Sequence, residues 1–541
     1  MCLCRSILPR QILLAVAAVS ALWFGGCTSL HDYVRQGFKV GPNYCKPPAP
    51  VADHWIDEAD VHVSDEANLA RWWTVFRDPV LDRLIAQAYQ QNLTLRQASF
   101  RILEARAQLA IAKGEIFPQQ QYASGGYQRI ASSNNYLNSG SQFYDQYGLG
   151  FNLSWELDFW GRLRRAVAAA DANLEASVAD FDQVLVTLLG DVASNYVTIR
   201  TDQERIRFLR QNVTIQELVL EWTKRREKVG FRTLPLDVHQ TESILEETAA
   251  GIPQLEIDLR QAENRLCILM GMPAVDLRNQ IGEDRIPTAP AQVAIGLPAG
   301  LLRNRPDVRR AERLAAAQAE MIGIAQANLY PVFSINGTLG AEAQDVTKLF
   351  EGRSLAGNVG PTFQWNILNY GRIVSNVRYQ DAKFKELVAA YQQTVLQADR
   401  EVEDGLVTFV RAQDRTQHLN RSVNAATASV KDIFLPTALG RAGFDFSRFA
   451  LIEQNKVQQQ DLLSQARGQI ALGLIQIYRA LGGGWELRNQ PIERLPPVGA
   501  LPSVPPEGEA ELEKLRNLLS PQTNQPGNKT ERLPLPEPVY P

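Results

Sequence analysis

Leu153-Ser154-Trp155-Glu156-Leu157-Asp158-Phe159-Trp160-Gly161-Arg162-Leu163 returns 210 residues later as Phe363-Gln364-Trp365-Asn366-Ile367-Leu368-Asn369-Tyr370-Gly371-Arg372-Ile373. The elements around each block recur in the same order: a helix, a proline, a strand pair, the block, then a very long helix. Pro118 is answered by Pro331, and Gly230-Phe231 by Gly443-Phe444, both at an offset of 213. A duplicated helix–strand–strand–helix unit restricts the fold more than any local signal does.

Working outward from the first block, residues 147–157 alternate strictly. Tyr147, Leu149, Phe151, Leu153, Trp155 and Leu157 are apolar, and the residues between them are small or polar. A period of two predicts a strand with one apolar and one polar face. A weaker strand is expected over 119–130, with a Ser/Asn/Gly loop at 131–143. In the second unit Phe333, Ile335 and Leu339, then Val359, Phe363, Trp365 and Ile367, show the same alternation. The strand pairs are placed at about 119–157 and 332–368.

The helices are unusually long. From Gly161 to about Val229 only Gly190 interrupts the helical pattern, and a second run goes from Gly371 to about Gly440, with a kink expected at Pro436. Nearly 70 residues make about 100 Å of helix, which suits a coiled coil or a barrel of helices. Asp78-Pro79 opens one helix expected to reach Phe117 unbroken. Another is expected from Leu236 to Met270, bent or broken at Gly251 and Pro253. A last helix covers about 448–481.

Residues 1–26 read as a secretory signal, with Arg5 and Arg10 before an apolar stretch from Ile12 to Phe24. Gly25-Gly26-Cys27 resembles a bacterial lipoprotein cleavage site, with Cys27 as the lipidated first mature residue. The alternative is an ordinary signal cut nearby, for example after Ala21. Thr28, rather than Asp, follows Cys27, which by the same resemblance favours the outer membrane. Cys45 and Cys267 remain in the mature chain, and their pairing is left open. The expected layout is 1–26 signal peptide, 27–78 extended segment with lipid anchor, 79–300 first repeat, 301–482 second repeat and 483–541 proline-rich tail, mostly disordered.

Charges nearly balance, 56 basic against 59 acidic, so nothing points to nucleic acid. No P-loop, dinucleotide-binding glycine pattern or HExxH is present, and the five histidines and the cysteines lack zinc-ligand spacing. An enzyme, a cofactor or a metal site is therefore not expected.

Four strands cannot close a membrane barrel, whose smallest form has eight, and an open sheet edge cannot face lipid. Strands in a membrane must then be pooled by several chains, and a trimer would supply twelve. A soluble sheet with one face on a core is the rival, but the flanking helices are too long to be its cover. Trp155, Gly161, Trp365 and Gly371 mark the two strand-to-helix junctions, and the aromatics suit a water–membrane interface.

The chain resembles the outer-membrane efflux channel family, the TolC/OprM type, in its lipoprotein branch paired with RND pumps. The resemblance rests on Gly41-Pro42-Asn43-Tyr44, Trp73 with Phe76, Asp78-Pro79, Leu301-Leu302-Arg303-Asn304-Arg305-Pro306-Asp307 and both Trp…Gly-Arg junctions. It implies a mainly α fold with transmembrane β: a trimeric β-barrel in the outer membrane continued by a long α-helical barrel across the periplasm. It implies a homotrimer in contact with outer-membrane lipid, a periplasmic adaptor and an inner-membrane RND-type pump as partners, and passive export of small molecules. A duct for type I protein secretion and a non-channel periplasmic coiled-coil adaptor are the alternatives. The resemblance also implies acidic residues that narrow the periplasmic end. By position these would be Asp237 and Glu453, with Arg441 and Arg448 as their closing partners; solvated helix faces are the other reading.

Overall fold

The computed structural model describes residues 30–489, apart from 53, 57–62, 65–68, 132–142, 231–232, 295–303 and 439–445. The elements in chain order are α1 Leu30–Arg35, β1 Val63–Ser64, α2 Pro79–Gln91, α3 Leu93–Gly114, β2 Gln120–Ala131, β3 Phe143–Leu157, α4 Arg162–Lys228 and α5 Pro235–Leu269. They continue with α6 Arg278–Ile281, β4 Val293–Ala294, α7 Pro306–Ala327, β5 Val332–Ala343, β6 Leu355–Gln364, α8 Arg372–Ala438 and α9 Phe446–Ala480. Both long helices, α4 and α8, have 67 residues, about 100 Å each.

The four long strands form one antiparallel sheet in the order β2-β3-β5-β6. The helices above the middle of the molecule keep that order: α3 packs on α4, α4 on α7, and α7 on α8. Below the middle α5 takes the place of α3, and α9 that of α7. The main apolar core sits where these layers exchange. Trp72, Trp73, Phe76, Leu81 and Ile85 pack there with Leu185, Leu189 and Tyr196 of α4, Phe409 of α8, and Leu474 and Tyr478 of α9. Burial pushes the Tyr196 phenol well above its usual pKa. It therefore stays protonated and donates to Asp78, the N-cap of α2, at 2.7 Å.

The helix expected over 79–117 is two helices. Asn92 is extended (φ −62°, ψ 124°), and its side-chain oxygen caps α3 by accepting from Leu95 N–H at 2.8 Å. Its amide nitrogen donates to the Leu269 carbonyl at 2.8 Å, so α3 and α5 meet end to end. Arg305 holds the equivalent place in the second unit, at the 213 offset. It donates to the Ala480 carbonyl, which joins α7 to α9, and pairs with Asp307 at 2.7 Å and Glu401 at 2.8 Å. The 213 offset was the signal for the break at Asn92: a helix that starts at Pro306 predicts one that starts at Leu93.

Pro253 does not break α5, which runs through it. The proline is on an exposed face, where water can serve the carbonyl it frees, and Gly251 lies close against Leu209. Pro436 falls in the last turn of α8. The strand β6 stops at Gln364, so Trp365 and Ile367 lie beyond it. Its partner β5 begins at Val332, opposite Gln364, and offers no backbone further on.

Gly271 makes the α3–α5 junction close. Its φ is +69°, and an added Cβ would collide with the Gln91 carbonyl. Asn92→Ala should cost about 1–2 kcal/mol for the lost cap and the lost bond to Leu269. Gly271→Ala should cost more, because about 1–3 kcal/mol of backbone strain adds to the collision. Thermal unfolding in detergent, followed by circular dichroism, checks the order; a milder effect for Gly271→Ala would contradict this account of the junction.

Candidate functional site: the strand faces, the junctions and the helical tip

One face of the sheet is a hydrogen-bonded polar ladder. Asn152 donates to Ser124 at 3.0 Å, Ser154 to Asn336 at 2.7 Å, Asn336 to Thr362 at 2.8 Å, and Thr338 to Asn358 at 3.1 Å. The opposite face carries Tyr147, Leu149, Phe151, Leu153 and Trp155, opposite Ala343, Ala341, Leu339, Gly337 and Ile335. From Trp155 to Tyr147 this apolar band spans about 27 Å along the strand, or about 20 Å along the membrane normal at the usual tilt. Tyr127 packs against Tyr147 at its upper end, 4.9 Å between centroids with the rings tilted by 36°.

The lower end is a pair of tryptophan junctions. Trp155 Nε1 donates to the Ile116 carbonyl at 3.0 Å, and Trp365 Nε1 to the Leu329 carbonyl at 3.0 Å: the same bond in both units. Gly161 and Gly371 have φ of +81° and +80°, which a residue with a Cβ rarely adopts. This accounts for the repeated Gly-Arg.

The two junctions differ in their remaining side-chain contacts. In the first, Asp158 caps α4 by accepting from Leu163 N–H and Arg164 N–H, both at 2.9 Å, and Glu156 holds Arg162 at 2.7 Å. Trp160 Nε1 donates to the Pro331 carbonyl at 2.8 Å, and its ring stacks on Tyr330. The N-terminal segment is strapped across. Tyr33 donates to the Phe159 carbonyl at 2.6 Å, Arg164 donates to the Gly37 and Phe38 carbonyls, and the fully buried Arg165 to those of Val40 and Gly41. In the second, Leu368 replaces Asp158, and Tyr370, in the place of Trp160, is 97% exposed.

At the far end of the helices the sequence candidates separate. Asp237 accepts from Leu234 N–H at 2.7 Å and so caps α5. Glu453 is fully buried and pairs with Lys456 at 2.8 Å. Gln454 of α9 donates to Glu247 of α5, so these helices run in parallel and Glu453 stands about 13 Å further from the tip than Asp237. The two carboxylates are thus not brought to one level, and Glu453 serves an internal pair rather than a solvated rim. Periodicity could not reveal this, because it does not say which helix covers which face. Arg448 lies in the first turn of α9, and Arg441 is outside the described residues. Cys45 is exposed, Cys267 is buried, and both are free thiols.

Four antiparallel strands with two open edges, a polar and an apolar face, and helices that prolong them in the same order make up one share of a membrane barrel continued by a helical tube. Comparison with known proteins agrees. The family model described as outer membrane efflux protein matches residues 84–272 and 297–483, one match for each repeat. Nodulation protein T of Rhizobium leguminosarum bv. trifolii is 29% identical over 405 residues, which is 75% of this chain and 86% of the relative. Toluene efflux pump outer membrane protein TtgF of Pseudomonas putida is 30% identical over 476 residues, 84% of this chain and 96% of the relative. The solved structure of the outer-membrane channel OprN superposes with a TM-score of 0.78 at 30% identity, covering 83% of this chain and 99% of that one. The chain belongs to the outer membrane efflux protein family, and it is an outer-membrane efflux channel.

The two strand faces should respond differently to charge. Phe151→Arg should cost about 2–4 kcal/mol per chain if it lies near the bilayer midplane, whereas Asn152→Arg, on the polar ladder, should be tolerated. The yield of heat-resistant oligomer from the outer membrane measures both, and equal damage at the two positions would refute the assignment of faces.

Proposed function

We propose that this chain is the passive outer-membrane exit channel of a tripartite efflux complex, assembled as a homotrimer and exporting small molecules delivered through a periplasmic adaptor from an inner-membrane RND-type pump. The observation that carries this reading is the bare second junction. Within one chain Trp160 of the first unit is received by Tyr330 and Pro331 of the second. By the repeat, Tyr370 should be received by Phe117 and Pro118 of the next chain, and Phe117 is itself 68% exposed. The strands support the same closure. Leu153 and Ser154 lie opposite Gly337 and Asn336. The equivalent residues at the open edges are Phe363 and Gln364 of β6, and Gly125 and Ser124 of β2. Exposed apolar residues on α3 (Phe100, Leu103, Ile111) and α8 (Val374, Tyr379) would meet as α4 and α7 do within the chain. A relative named for toluene efflux supports small molecules as cargo rather than a secreted protein.

Ser124→Cys with Gln364→Cys should give a covalent trimer on denaturing gels. The two residues lie at opposite edges of one chain's sheet: Ser124 is level, through Gly150 and Gly340, with Ala356, and Gln364 lies further along β6, so the two are about 30 Å apart and out of disulfide reach. Oxidation that leaves monomers, or stops at dimers, would refute the closure.

Cys27 lies three residues before α1, which packs beside Trp160 at the lower end of the apolar band. A lipid on Cys27 would enter the membrane there, as a minor anchor beside a closed barrel. Mass spectrometry should find a diacylglyceryl-modified Cys27 as the mature start; an unmodified start elsewhere would exclude the anchor.

We read the periplasmic mouth at the ends of α4 and α8, one long helix away from the barrel; residues 439–445, which join α8 to α9, lie outside the described residues. Three copies of Asp237 would place carboxylates around the axis and favour cations. In planar bilayers Asp237→Ala should weaken cation selectivity while Glu453→Gln leaves it unchanged. Unaltered selectivity in Asp237→Ala removes that residue from the mouth.

A further inference from the structure

The two hairpins end at different heights. Ala343, the last residue of β5, lies opposite Tyr147, whereas β3 continues to Phe143, opposite Ala131. The first hairpin therefore rises about 13 Å further along the strands. Above Tyr147 the apolar band is interrupted by charge before it resumes at Phe143. Tyr127 and Tyr147 pack together at the level of Tyr147, and one step higher on the same face Arg129 and Asp145 pair at 3.7 Å. At the level of Tyr147 the second unit has only Ala343 on its strand, and the next aromatic, Phe350, belongs to the connection 344–354.

That connection is built rather than slack. Asp345 accepts from Thr347 N–H at 3.0 Å and from its hydroxyl at 2.9 Å. The Lys348 carbonyl accepts from Glu351 N–H at 3.0 Å and from the Ser354 hydroxyl at 2.7 Å. The turns bury Leu349 and leave its neighbour Phe350 81% exposed. Leu355, 67% exposed, pairs with Ala341 and so continues the apolar face up to the loop. Lys348 and Arg353, on either side of Phe350, are exposed and stand in no ion pair with a described residue. A single exposed aromatic is ordinary. An exposed aromatic in the connection that follows Ala343, the residue opposite Tyr147, and between two such cations, suits a membrane boundary.

We propose that the β5–β6 loop is a lipid-interface anchor: Phe350 enters the outer leaflet beside Leu355, and Lys348 and Arg353 hold phosphate groups of anionic lipid headgroups. Cation-to-phosphate hydrogen bonds supply the polar half of such a site and aromatic burial the other. This rests on the barrel reading of the strands, and the test separates the two.

The full-length protein carrying Cys45→Ser is reconstituted in phosphatidylcholine vesicles, with or without phosphatidylglycerol, and nitroxide labels are placed at Phe350→Cys, Phe151→Cys or Asn152→Cys. The label at 350 should share the oxygen access of the label at 151 and lose access to a water-soluble nickel chelate. Phosphatidylglycerol should further restrict its motion. Lys348→Glu with Arg353→Glu should abolish that response, and inorganic phosphate added to neutral vesicles should not reproduce it. Nickel access at 350 equal to that at 152, exclusion of both reagents, or indifference to phosphatidylglycerol overturns the proposal. A label at 151 without oxygen access would instead overturn the barrel reading.

Discussion

Backbone hydrogen bonding without water is the constraint on which the rest of this structure depends. In hydrocarbon every unpaired N–H or C=O costs several kcal/mol, so a sheet must close on itself. One chain pairs β3 and β5 on both sides and leaves the outer edges of β2 and β6 open. Those edges run for 12 and 10 residues, far too long to leave unpaired in a bilayer. The duplication answers this constraint. Two copies of one unit meet inside the chain through the β3–β5 seam, and the same geometry is available at the outer edges for the next chain.

The helical part obeys a different requirement. A helix of 67 residues cannot be held by its ends, and the apolar core grips α4 and α8 near their middles. At that belt the shorter helices are exchanged, α3 for α5 and α7 for α9, so the layer around the long helices changes partners without leaving a gap. The exchange needs bare helix ends to be capped in a crowded place. Asn92 does so with a neutral amide. Arg305 does so with a guanidinium shared among the Ala480 carbonyl, Asp307 and Glu401. The repeat preserved the joint and changed its chemistry.

The repeats also diverged where the chain's own N-terminal segment can reach. The first junction is tied by Asp158, Glu156 and the strap over Arg164 and Arg165, with Gly161 so close to Lys39 that a Cβ would collide. The second has the same glycine and the same tryptophan bond but none of the ion pairs, and Tyr370 stands free of its own chain. A covered junction inside the chain and an uncovered one at its boundary are what a repeated unit shows when its last interface belongs to a neighbour.

Period-two alternation, the two Gly-Arg blocks and the length of the helical runs were enough to read the duplicated unit, the polar and apolar faces, and the need for several chains, because each follows from local geometry and from the cost of an unpaired strand edge. The break at Asn92 was also written in the sequence, through the 213 offset to Arg305-Pro306, but helical periodicity across it hid the cap. The continuity of α5 through Pro253 and the end of β6 at Gln364 were not legible, since one depends on where solvent lies and the other on where a partner strand begins. Burial of Glu453 against Lys456, and its height above Asp237, depend on how α4, α5 and α9 pack around one another. Spacing along a single helix says which residues share a face, and only the packed helices decide what that face meets.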